Sequence, residues 1–280
     1  MTDAAEWRGR VGEAWAQEWR RTDRTIGPVN DILVAEVADQ LGEIASPRIL
    51  DVGCGAGATS LALKDRIPAA EIVGVDLSAD LVSVASERAA FKPDVRFEAG
   101  DAATFKPGGE RFDAIVSRHG VMFFDDPVAA FSNFRALAAP GARLVFTCFR
   151  GRAENEWAMA IAPILEQFAP AVLAGPPPAV GPFAFADTDK VAAILTAAGF
   201  AAPRFEPFDF DFVTGVGDDP VADAISFFRH IGPFAALIRE LDEARAAAAV
   251  DRLTGIASQH RVGDTVRFRA AVWLVSSQVA

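Results

Sequence analysis

No tyrosine accompanies the 22 phenylalanines and five tryptophans of this chain. Any aromatic pocket it builds is therefore apolar, with no phenolic hydroxyl to orient a ligand. Cysteine is scarce: Cys54 and Cys148 are the only two, and they form neither a disulfide framework nor a metal-ligand spacing, which points to a reducing compartment. Basic runs are missing, and the formal net charge is −11. Because nucleic-acid binding rests on Lys and Arg neutralising phosphates, that balance argues against such a partner. The opening MTDAAEWRGRVGEAW carries charges throughout and has no apolar signal core. The longest uncharged stretch, 167–186, contains five prolines and cannot cross a membrane as a helix. A soluble, cytoplasmic protein without membrane insertion is expected.

Within 280 residues a sizeable core can form. Trp7, Val11, Trp15 and Trp19 recur every fourth residue, which predicts one amphipathic helix, weakened by Gly9 and Gly12. A second helix is expected to open at Pro28 and to end before Pro47. From residue 48 strand and helix alternate. Strands are predicted at 48–52, 71–75, 95–98, 112–117 and 142–149. Between them Pro68 stops one helix, Ser78 caps another, and Asp126-Pro127 opens a third that ends at Pro140-Gly141. Such alternation predicts an α/β fold with a parallel sheet and helices on both faces. Beyond it, Pro176-Pro177-Pro178 suggests a stiff excursion, and Asp187 caps a further helix. Phe208, Phe210 and Phe212 alternate with acids as a half-buried strand, 219–260 is Ala-rich and helical, and 267–276 closes the chain as a strand.

The chemistry concentrates in Ile49-Leu50-Asp51-Val52-Gly53-Cys54-Gly55-Ala56-Gly57. A strand runs into glycines that let the backbone turn tightly and approach a ligand, and a helix with free N–H groups follows. Residues 53, 55 and 58 also satisfy G-x-G-x-x-[G/A], so a dinucleotide is an open alternative. Three acids favour another ligand. Asp51 ends the first strand, where a carboxylate is poor company for a pyrophosphate but suits an ammonium and a sulfonium. Asp76 ends the second, placed for two ribose hydroxyls in either kind of ligand. Asp101 follows the third, placed for an adenine amine. Together they fit one cationic adenosyl ligand.

These segments resemble the class I S-adenosylmethionine (SAM)-dependent methyltransferases, and within them the branch related to ubiquinone/menaquinone C-methyltransferases. D-V-G-C-G-A-G is similar to that family's first motif, V-G-V-D-L-S to its second and G-D-A to its third. Ser117-Arg118-His119-Gly120-Val121-Met122-Phe123-Phe124 and the 135–144 turn match as well. The resemblance implies a Rossmann-like, seven-stranded, mostly parallel sheet. It implies that Gly53, Gly55 and Gly57 face the methionine part, Asp76 and Leu77 the ribose, Asp101 and Ala102 the adenine, and that Ser117 forms the wall beneath the sulfur. The expected organisation is a single domain over 1–280. Its core is about 46–150, 186–213 and 264–280, under an α-helical cap of about 1–45, 151–185 and 214–263.

The implied reaction is an in-line methyl transfer from SAM to a small molecule. Its demand is alignment, with a base where the acceptor is weakly acidic. His119 is the histidine expected near the methyl group and the candidate base; the competing reading is a residue that shapes the pocket. No metal is expected, since Asp125 and Asp126 read as helix-capping residues. A Phe-rich cap, including Phe183, Phe185, Phe227, Phe228 and Phe234, suits an apolar or aromatic acceptor, although most of these rings are expected in the core. The alternatives are a SAM-binding protein without catalysis and a nicotinamide-dependent oxidoreductase.

Overall fold

A computed structural model describes residues 4–42, 44–109, 111–170 and 179–280; the triple-proline run at 176–178 lies outside them. The tryptophan stripe does not form one helix. It is divided among α1 (Ala4–Arg8), α2 (Arg10–Gln17) and α3 (Trp19–Thr25). Gly9 leaves the helical region with φ −120° and ψ −129°, and Glu18 with φ −96° and ψ 14°. The chain thereby bends around what it covers while the tryptophans keep facing one side. Helix α4 (Gly27–Leu41) follows with Pro28 in its first turn, where its missing N–H costs no hydrogen bond.

The five predicted strands form, with a helix after each except β3 in the run β1 (Arg48–Val52), α5 (Ala58–Arg66), β2 (Glu71–Asp76), α6 (Ala79–Arg88), β3 (Val95–Ala99), β4 (Phe112–Arg118), α7 (Pro127–Leu137) and β5 (Ala138–Phe149). Ser78 Oγ accepts from Leu81 N at 3.2 Å and Asp126 Oδ1 from Ala129 N at 2.9 Å, the expected caps. Strand β5 starts earlier than the expected 142, because Ala138 already pairs with Phe112 across a register shift. Pro140-Gly141, read as a helix stop, lies inside that irregular stretch, with Gly141 at φ +74°. Then come α8 (Glu156–Phe168), α9 (Thr188–Ala197), β6 (Arg204–Val216), α10 (Pro220–His230), α11 (Pro233–Glu240), α12 (Glu243–Gln259), the two-residue β7 (Arg261–Val262) and β8 (Thr265–Gln278).

The strand order is β3-β2-β1-β4-β5-β8-β6, with β7 appended to β8. Pairings among β1 to β5 are parallel, and β8 runs antiparallel between β5 and β6. This is the expected Rossmann-like, mostly parallel α/β sheet, with one small strand more than the seven predicted. All five residues of β1 are buried, because both faces of the sheet are covered. Ile49 joins Leu33, Val37 and Leu41 of α4 on one face, while Leu50 and Val52 join Phe131, Phe134 and Phe146 on the other. The strand order reverses between β1 and β4, and in open α/β sheets that switch point opens a crevice beyond the strand ends.

Candidate functional site

The loop after β1 is built on left-handed glycines. Gly53, Gly55 and Gly57 have φ of +65°, +52° and +82°, a region that other residues enter only at a cost. Gly53 N and Cys54 N both donate to Val75 O, at 2.9 and 3.1 Å, which draws the loop onto the end of β2. There Asp76 Oδ2 accepts from Gly55 N and Oδ1 from Ser78 N, both at 2.9 Å. One acid thus fixes the loop and the start of α6 while keeping a free lone pair on each oxygen. Burial pushes its carboxyl upward against these two hydrogen bonds.

A cavity of about 400 Å³ opens at the switch point. Gly53, Gly55, Asp76, Leu77, Asp101 and Ala102 line one side, and Phe149, Trp157, Phe212, Phe227 and Phe228 the other. Trp7, Trp15 and Trp19 close it from the N-terminal helices, so α1 to α3 stand over the strand ends and not on the back of the sheet. Of the cap phenylalanines singled out in the sequence, Phe227 and Phe228 line the cavity. Phe185 and Phe234 are buried in the core, and Phe183 stacks on Trp157 at 5.8 Å.

Three expected site residues lie behind this wall. Asp51 is 1% exposed and its Oδ2 accepts from Ser60 Oγ at 2.6 Å, while Oδ1 has no partner. Burial lifts this carboxyl to about 6, opposed by the Ser60 hydrogen bond and the Arg118 charge. Gly57 turns away from the cavity: a Cβ there would meet Phe97 at 2.8 Å and Ala85 at 3.0 Å. Ser117 is also buried. Its hydroxyl donates to Val52 O at 2.7 Å and accepts from Gly120 N at 3.1 Å. Instead of forming the wall, Ser117 pins the end of β4 to the end of β1, where a Cβ on Gly53 would stand 3.0 Å from Gly120 Cα.

His119 lines the cavity in a left-handed conformation, φ +66°, uncommon for a residue with a side chain. Its Nδ1 lies 3.0 Å from Thr147 Oγ1, its ring meets Phe149 edge-on at 4.4 Å, and its Nε2 is buried without a partner. Burial and the adjacent Arg118 hold the imidazole down at about 3. It is neutral near pH 7 and a weak proton acceptor, which does not favour the expected role of base. Cys54 also lines the cavity, and burial raises its thiol well above the ordinary range, so it is no nucleophile.

A charged cluster that no sequence motif marks stands at the mouth. Asp23 accepts from Arg88 Nη2 at 2.8 Å and from Arg118 Nη2 at 3.3 Å. Arg88 also donates to Ala56 O at 2.6 Å and lies 3.9 Å over the Trp19 ring, a cation–π contact. Arg118 belongs to the quoted 117–124 motif, but its partner is 95 residues away, beyond any local signal. Among the described residues no group of three or more His, Cys, Asp or Glu side chains could hold a metal ion.

Residues 49–141 match the family described as "Methyltransferase domain". Demethylmenaquinone methyltransferase of Thermus thermophilus is 36% identical over 104 residues, 37% of this chain and 47% of that protein. Phosphoethanolamine N-methyltransferase 1 of Triticum aestivum is 34% identical over 113 residues, 40% of this chain and 22% of the relative. The chain thus spans less than half the length of these curated relatives. A solved Haemonchus contortus phosphoethanolamine N-methyltransferase 2, in complex with S-adenosyl-L-methionine, superposes with a TM-score of 0.53 at 15% identity, covering 89% of this chain and 53% of the other. That likeness is one of fold. The stretch that supplies the glycine loop and the acids after β2 and β3 thus matches a methyltransferase domain, within a chain that continues on both sides of it.

Proposed function

We propose that this chain binds SAM and transfers its methyl group to a small apolar or aromatic acceptor. The observation that carries this is one cavity lined both by a glycine loop with acids and by an aromatic lobe. The residues present suit the ligand. A Cβ on Gly55 would stand in open space, so this position borders room for the methionine part, with Gly53 beside it. Asp76 has lone pairs for two ribose hydroxyls, with Leu77 next to it. Asp101, whose Oδ1 accepts from Ala103 N at 2.9 Å, would take the adenine amine beside Ala102. The unpartnered Asp51 Oδ1 supplies a buried negative charge behind the loop, as an ammonium and a sulfonium require.

Bound SAM would supply an electrophilic methyl on a sulfonium. The contribution of the chain is to orient and to exclude water: the loop and acids fix one reactant, and the rings of Phe149, Trp157 and Phe212 surround the other. We further propose that residues 1–280 act as one unit, in the cytoplasm, with a small-molecule partner and no nucleic acid. No single described helix is long and apolar enough to cross a membrane.

Calorimetry with SAM, S-adenosylhomocysteine and NAD tests the reading. Both adenosyl-sulfur ligands are expected to bind and NAD to fail. Asp76→Ala should lose roughly ten- to a hundredfold in SAM affinity, the loss of hydrogen bonds to a charged group. Asp209→Ala, at an exposed acid paired with Arg150, should bind as the parent does. Binding of NAD without SAM overturns the proposal. SAM binding without methyl transfer to any phenol, enol, amine or thiol in a radiolabel screen supports a non-catalytic role.

A further inference from the structure

The aromatic lobe carries two hydrogen-bond donors with nothing to donate to. Trp157, 6% exposed, is stacked between Phe183 and Phe212 at 5.8 and 5.3 Å, and its Nε1 has no partner. An indole nitrogen only donates. His119, 9% exposed, has an equally unpartnered Nε2. The two rings are linked by Phe149, whose centroid is 4.4 Å from His119 and 5.5 Å from Trp157. All three line the same cavity.

Thr147 fixes the form of the histidine. Its buried hydroxyl bonds to His119 Nδ1 and to no other described group. If Nδ1 carried the proton, the hydroxyl hydrogen would be buried without an acceptor, a cost of about 1–3 kcal/mol. With the hydroxyl donating to Nδ1, the ring proton sits on Nε2. The nitrogens of an imidazole diverge, and Thr147 does not line the cavity. The edge bearing Nε2–H is therefore the one turned away from Thr147. A neutral ring, held so by burial and by Arg118, donates and does not collect a proton. Native structures rarely leave two such donors unsatisfied without reason.

We propose that His119 Nε2–H and Trp157 Nε1–H are the polar anchors of the methyl acceptor, which is therefore an uncharged or phenolate-type apolar molecule bearing a hydrogen-bond-accepting oxygen. This rests on the aromatic lobe being the acceptor site, as read above. Neither donor can pair with the N–H groups of an ammonium, which would meet only the ring faces of Phe149, Phe212 and Phe227. The two donors match a ring carbonyl, enol or phenol oxygen, and both are rigid, so they orient the acceptor at little entropic cost.

The test uses the intact protein, with and without saturating S-adenosylhomocysteine, and three probes of one shape: tetralin, α-tetralone and protonated aminotetralin. Fluorescence titration of the parent should show tetralone bound roughly tenfold or more tighter than tetralin, and tighter than the ammonium probe. Trp157→Phe removes one N–H and keeps the stack. His119→Asn removes the other with a residue that tolerates left-handed backbone. Each should bring tetralone to within about threefold of tetralin. ¹⁵N NMR of the parent should show His119 protonated at Nε2 and bare at Nδ1, a readout that survives if His119→Asn does not fold. Equal binding of tetralin and tetralone, no binding of any probe, an unchanged preference in the variants, or a proton on Nδ1 each overturns the proposal. Failure to bind S-adenosylhomocysteine while the tetralone preference persists would instead overturn the methyltransferase reading alone.

Discussion

Asp51 holds Ser60 with one carboxylate oxygen and nothing with the other, and burial raises it from 3.8 to about 6. The folded state therefore binds a proton more tightly than the unfolded chain between about pH 4 and 6, and stability falls as pH rises through that window. Above it the folded protein carries a buried charge whose cost is up to about 3 kcal/mol, at 1.36 per pH unit. Without ligand, Asp51→Asn should melt above the parent at pH 8, and the gap should close towards pH 4, where the parent carboxyl is protonated. The same variant should bind SAM more weakly at pH 8, since a cationic ligand compensates the buried charge. Melting curves at the two pH values decide it; a variant less stable than the parent at pH 8 would show that Asp51 stabilises the fold as an anion. The charge was legible in the sequence as an acid two residues before a glycine. Its place behind the loop was not, since that follows from Ser60 closing on it from α5.

Elements were readable where burial and punctuation agreed. The strands β1, β2, β4 and β5 are apolar runs bounded by Gly, Pro or capping residues, so existence and order followed from local pattern. Gly12 was different: in the sequence it weakens a helix, whereas in the fold a Cβ there would stand 2.3 Å from both Ser78 Oγ and Trp7 O. It lets α2 lie directly on the start of α6. The charged cluster around Asp23 was invisible because it joins α3 to residues 65 and 95 positions away. Together these contacts seat α1 to α3 over the cavity mouth, with Trp7, Trp15 and Trp19 facing in. SAM binding should slow hydrogen exchange in residues 7–24. Gly12→Ala should abolish that protection and weaken SAM binding, with far-UV circular dichroism unchanged. If exchange slows only at 51–60 and 100–105, the N-terminal helices contribute packing and no closure.

At the scale of the whole molecule, three regions of the chain line the cavity at the switch point: the N-terminal helices, the parallel half of the sheet and the helices after β5 and β6. Long ion-pair links reinforce this union. Asp223 of α10 binds Arg21 at 2.7 Å and Arg24 at 3.1 Å, and the Arg24 guanidinium donates to Thr214 O at 2.9 Å. Partly buried pairs of this kind contribute modestly each, but they place α3 against β6 and α10, about 200 residues apart in the sequence. A unit joined in this way should unfold in one step. The tryptophans allow a direct comparison, because three lie in the N-terminal helices, Trp157 in the aromatic lobe and Trp273 in the last strand. Their fluorescence reports mainly the N-terminal helices and the aromatic lobe, whereas circular dichroism at 222 nm reports all helices. The two melts should coincide. S-adenosylhomocysteine at a hundred times its Kd should add about 2.7 kcal/mol, moving both midpoints up together by roughly 5–10 °C at this chain length. Fluorescence melting early and unmoved by the ligand, with the dichroic transition shifted alone, would mean that the N-terminal helices and the aromatic lobe are separate from the unit that binds SAM.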